Sequence, residues 1–193
     1  MKDFFHRYSY SIVKMFVNQF AISIFGTMLA MATSAAQNDV LTLIVSIFAI
    51  LFYLFLIYTM IWEIGAKDKI SVDAGKKQYR PMTGLYMALF ASIPNFILAL
   101  LYSIGYPFMA TQTWAGNMNF IVRLFTVILE GMYLGVTMVL PFGAEVKLNV
   151  LWWPYYLMIV PLLVTSFLAY YLGHKDFRFT ALFMSKKNEQ TKK

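Results

Sequence analysis

The sequence predicts an all-α fold, a polytopic transmembrane helical bundle of four to five spans in which one segment turns back inside the membrane. Three observations lead there. Of the 193 residues, 60% are hydrophobic and only 13% charged, and the mean hydropathy is +0.64, which does not suit a water-facing surface. Five apolar runs, 11–36, 40–64, 84–109, 119–140 and 151–172, each approach or exceed the roughly 20 residues that cross a hydrocarbon core. The basic residues mostly lie between and beyond these runs, where they set topology. A net charge of +7 therefore points to the membrane surface and not to nucleic acid.

Lys2, Arg7 and Lys14 precede the apolar stretch from Met15 to Thr33 of the first run, and Ser34-Ala35-Ala36 follows it, in imitation of a cleaved signal peptide. Its apolar stretch is longer than the usual core of about 7 to 15 residues, and Asn18 and Gln19 interrupt it, so it is expected to stay as the first span. Amides in lipid bond across to a neighbouring helix or hold a ligand. Gln37, Asn38 and Asp39 alone join this run to the second, which requires a tight helical hairpin. The loop 65–83 carries Lys67, Lys69, Lys76, Lys77 and Arg80, which makes it cytoplasmic, as is then the N-terminus. Those five residues are the expected docking surface for anionic lipid headgroups or a cytoplasmic partner.

In the third run Pro94 precedes Asn95, and in the fifth Pro161 interrupts the pattern, so both helices are expected to kink. The fourth holds Arg123 and Glu130, seven residues apart and so on one helical face, beside Gly131 and Gly135. A charge at mid-bilayer costs about 2.5 to 3.5 kcal/mol on insertion scales. Run 119–140 is therefore the expected re-entrant segment. Alternatively Arg123 snorkels to the interface while Glu130 is held structurally. Gly131 with Gly135, and Ala32 with Ala36, are small pairs that let helices approach closely. Trp152, Trp153, Tyr155 and Tyr156 form an interfacial belt before the last crossing.

Two helix exits echo one another: Trp62-Glu63-Ile64-Gly65-Ala66-Lys67-Asp68 and Tyr171-Leu172-Gly173-His174-Lys175-Asp176. Glycine is read there as a left-handed helix cap and lysine as the complement of the helix dipole. Both exits are then on one side, which requires an even number of crossings between them. The organisation that results is a helical domain over 1–178 and a basic cytoplasmic tail over 179–193.

No catalytic motif, metal-ligand spacing or cofactor fingerprint is present, and with no cysteine there is neither a disulfide nor a thiolate. No enzyme activity, metal or cofactor is expected. The strings Asn18-Gln19-Phe20 with Phe25-Gly26, Trp62 to Lys69, Gly131-Met132-Tyr133-Leu134-Gly135 and Tyr170 to Asp176 resemble those of a family of small uncharacterised bacterial membrane proteins. The resemblance implies a multi-pass protein of a bacterial plasma membrane and carries no activity with it. From the residues themselves the leading expectation is a transport-related subunit or small permease, its solute path surrounded by Asn18, Gln19, Asn95, Arg123 and Glu130. The alternative is a scaffold or regulator that docks a cytoplasmic partner or anionic lipid. In either role a bundle this small is expected to associate with a second copy or another membrane subunit.

Overall fold

The computed structural model describes residues 2–142 and 146–177. The expected tail 179–193 lies outside the described residues. The chain is an all-α bundle: α1 (Lys2–Ala35), α2 (Asp39–Asp73), α3 (Thr83–Ala91), α4 (Ile93–Gly105), α5 (Thr113–Glu130), α6 (Leu134–Val139), α7 (Pro154–Leu157) and α8 (Val160–His174). A two-residue antiparallel pair, Pro141–Phe142 with Val146–Lys147, closes the turn after α6.

Four stretches are long and apolar enough to cross a membrane: Asp3–Ala35, Asp39–Asp73, Thr113–Val139 and Pro154–His174. The third run differs. Thr83–Ala91 and Ile93–Phe108 meet at 54°, which makes them a broken span or a re-entrant loop. The sharpest bend thus falls in 84–109, a run for which only a kink at Pro94 was expected. Pro94 stands in the first turn of α4 and lacks the N–H that a continuous helix needs, so the chain restarts after Ser92. Run 119–140 is interrupted as well, by the 3-10 turn Gly131–Tyr133, with Arg123 exposed and Glu130 enclosed by other helices.

Burial is sorted as a lipid solvent demands. Along α2 the enclosed positions recur at about every fourth residue, Thr42, Ser46, Ala49, Tyr53, Ile57, Ile61, Gly65 and Asp68, and several are small or polar. The opposite face shows Ile44, Phe48, Leu51 and Phe55 to the outside. Without a hydrophobic drive between helices, close packing and interhelical hydrogen bonds hold the bundle, and large side chains are left for lipid.

The hairpin between α1 and α2 forms as its sequence requires. Gln37 takes the left-handed conformation at φ 53°, and the Asn38 side chain caps α2 by accepting from the Leu41 N–H at 2.9 Å.

The echoed glycines have another role than the one their position suggested. Helix α2 runs through Gly65 to Asp73, the left-handed glycine after it is Gly75, and Gly173 lies inside α8. Gly65 and Gly173 are instead reciprocal notches. A Cβ on Gly65 would collide with the Tyr170 carbonyl, and one on Gly173 with the Trp62 carbonyl. The C-terminal ends of α2 and α8 therefore lie together and leave the bundle at the same end, as the echo required.

Candidate functional site

Glu130 is the last residue of α5, and its backbone (φ −129°, ψ 23°) departs from the helix before the single 3-10 turn Gly131–Tyr133 leads into α6. A helix end leaves carbonyls without donors, and inside lipid those must be met by protein. Three side chains of α1 meet them. Ser23 accepts from the Gly131 N–H at 2.5 Å and donates to the Val127 carbonyl at 3.1 Å, so its hydroxyl stands where the 131-to-127 helical bond would be. Thr27 also donates to the Val127 carbonyl, and the Gln19 amide donates to that of Leu129 at 2.9 Å. A side chain inserted into the ladder is a known cause of a helix break. Ser23→Ala should lower stability by about 1 kcal/mol, read as a lower unfolding midpoint in detergent.

The approach that permits this is set by glycine. A Cβ on Gly131 would overlap the Thr27 hydroxyl, and one on Gly26 would come within 2.5 Å of the Met132 Cα. Gly135 likewise faces Ser46 and Thr42 of α2, so the Gly131 and Gly135 pair packs against two different helices. Ala32 and Ala36, the other small pair, are exposed.

Glu130 is 5% exposed, and its Oε1 finds no hydrogen-bond donor among the described residues. The buried hydroxyls of Tyr53 and Tyr133 also lack hydrogen-bond partners among the described residues. Glu130 borders a cavity of about 170 Å³ whose polar lining also includes Arg123, Thr126, Thr137, Asn149 and Tyr155. An unmet polar group in such surroundings costs about 1 to 3 kcal/mol, so a cluster of them calls for a partner that brings its own donors and acceptors.

Of the residues singled out from sequence, Arg123 and Glu130 share this cavity, and Gln19 braces the backbone beside it. Asn18 is half-buried and does not line it. Asn95 is buried, 4% exposed with Oδ1 unpartnered, but belongs to the bend of the third run. Ser23, Thr27, Tyr53 and Tyr133 escaped sequence reasoning because hydroxyls in an apolar run look like ordinary packing residues.

A second polar cluster closes the end of the bundle where α2 and α8 leave it. Asp68 Oδ2 accepts from the Tyr8 hydroxyl at 2.5 Å, the Tyr170 hydroxyl at 2.8 Å and Lys77 Nζ at 2.5 Å, and Lys77 also donates to Tyr8. One carboxylate oxygen thus ties α1, α2, α8 and the following loop. Of the five loop cations expected to form one docking surface, Lys77 is turned inward to this cluster and Lys67 pairs with Glu63 at 2.7 Å. Lys76 and Arg80 are exposed and Lys69 is partly so. The surface is divided because α2 extends two turns past the apolar run and carries Lys67, Asp68 and Lys69 on different faces.

No family model matches this chain, and neither a curated protein nor a solved structure does.

Proposed function

We propose that this chain is a transport-related membrane subunit whose solute or ion path passes the Glu130 cavity. The observation that carries the reading is an enclosed carboxyl with an unmet oxygen, set at a helix break on the wall of a cavity whose mainly apolar lining includes Arg123, Thr126, Asn149 and Tyr155. Enclosed acids are retained in membrane bundles where they exchange a proton or a cation, and interrupted helices supply the free backbone groups of such paths. The carboxyl, with the Thr126 and Tyr155 side chains in the same lining, suits a proton, a small cation or a solute rich in donors.

The test uses liposomes holding the purified protein and a pH-sensitive dye, with an imposed potassium diffusion potential. Proton entry should slow at least tenfold in Glu130→Gln at equal protein content. Carbodiimide, which modifies enclosed carboxyls, should slow the native protein to the same degree. Entry at the native rate in Glu130→Gln, or none in the native protein, would remove Glu130 from a proton path.

The setting we propose is a bacterial plasma membrane with the cluster end in the cytoplasm. Arg7, Lys67, Lys69, Lys76, Lys77, Arg80 and Lys175 gather at that end, against Lys147 in the far turn, which supports this orientation by the positive-inside rule. A scaffold or regulatory role is favoured by a separate observation, the exposure of Lys76 and Arg80 at that same end.

A further inference from the structure

The cluster end holds a pocket of about 580 Å³ between the first turns of α1 and the loop after α2. Its floor is Tyr8 and Lys77, fixed by Asp68. Arg7, His6 and Arg80 rise from its walls, and Asp3 is the one carboxylate that lines it. Among the described residues neither Arg7 nor Arg80 takes part in an ion pair. With Lys77 paired to Asp68, the two guanidinium groups face Asp3 alone, and the site keeps an excess of positive charge. Burial first, and then the neighbouring Arg7 and Arg80, push the Lys77 ammonium below its ordinary pKa, while Asp68 opposes them. An anion seated in the pocket would relieve that repulsion.

Geometry decides the class of anion. Helix α1 from Asp3 to Ala35 has 33 residues, about 50 Å at 1.5 Å per residue, against a hydrocarbon core of about 30 Å. Its first turns therefore stand at headgroup level. Phe4 lines the pocket and begins a run of rings down the outside of the bundle: Phe4 to Tyr86 at 6.3 Å, Phe4 to Phe90 at 5.9 Å and Phe5 to Phe90 at 4.6 Å. Phe5 and Tyr86 are exposed. A basic pocket continuous with an outward aromatic wall matches an amphiphile with a phosphate head and acyl chains, and guanidinium is the group that grips phosphate through two parallel bonds.

We infer that this pocket is a binding site for one anionic phospholipid, its phosphate held between Arg7 and Arg80 above Lys77 and its chains lying on Phe4, Phe5, Tyr86 and Phe90. A zwitterionic choline head brings a further cation beside two guanidinium groups that have no ion pair among the described residues, so it is discriminated against.

The site is tested by native mass spectrometry of the full chain released from detergent, titrated separately with phosphatidylglycerol, phosphatidylcholine and inorganic phosphate. The expected result is retention of one phosphatidylglycerol at least tenfold tighter than phosphatidylcholine, with no displacement by millimolar phosphate. Arg7→Gln with Arg80→Gln should bring phosphatidylglycerol down to the level of phosphatidylcholine, and Arg7→Lys with Arg80→Lys should restore part of the difference. Equal retention in the glutamine variant overturns the site. Displacement by inorganic phosphate alone would make it a site for a soluble phosphate and overturn the lipid assignment. An unfolding midpoint of the glutamine variant in neutral detergent, matched to native, shows that loss of lipid is not loss of fold.

Discussion

Asp68→Ala should destabilise the bundle by about 3 kcal/mol or more, seen as a lowered thermal midpoint in detergent and loss of the folded species at modest temperature. The substitution strands three donors at once, the hydroxyls of Tyr8 and Tyr170 and the ammonium of Lys77. Breaking one side of an enclosed ion pair is far worse than never having made it, because the remaining charge keeps its desolvation cost. Lys77→Met alone should cost less, since Asp68 retains two phenolic donors. Combining Asp68→Leu with Lys77→Met should recover part of the loss, because no unpaired charge remains. A double variant as unstable as Asp68→Ala would show that packing, not the charge, is what Asp68 supplies.

Gly65→Val and Gly173→Val should each cost several kcal/mol, with Gly65→Ala and Gly173→Ala intermediate. Overpacking by a methylene costs about 1 to 3 kcal/mol where side chains can adjust. Here the added carbon meets main chain: on Gly65 it lies 3.1 Å from the His174 nitrogen and closer still to the Tyr170 carbonyl, and on Gly173 it lies 2.9 Å from the Trp62 carbonyl carbon. Backbone of two packed helices yields only if the helices separate. Gly116 is the control, for there the nearest atom would be 3.6 Å away, so Gly116→Ala should be neutral or slightly stabilising. The two glycines notch the same crossing from opposite sides, so Gly65→Ala and Gly173→Ala together should be less than additive once the helices have parted.

These two results bear on what could be read without coordinates. Span number, the first hairpin and the shared side of the two exits were legible, because hydropathy and turn chemistry are local. Glu130 could be singled out as an acid in an apolar run, but that its Oε1 would be left without a donor could not be read from the sequence. The roles of Gly65 and Gly173 were not, because a glycine that ends a helix and one that admits a neighbour look alike until the neighbour is placed. Asp68 and Arg7 were read as charges of a loop and a leading segment. Only the extension of α2 to Asp73, and the return of α1 alongside it, bring Tyr8 to Asp68 and Arg7 to Arg80. The third run bends more sharply than expected because Pro94 lacks the N–H that would continue the helix past Ser92.

The Asp68 cluster also imposes an order on synthesis. Its acceptor is made early, Lys77 follows nine residues later, and Tyr170 follows 102 residues after the acid. At about 5 to 20 residues per second, the last donor reaches the ribosomal exit some 5 to 20 s after the first half of the cluster. The carboxylate therefore waits on its last donor until the final helix is made, and a chain that ends before Tyr170 lacks one of the three groups that satisfy Asp68.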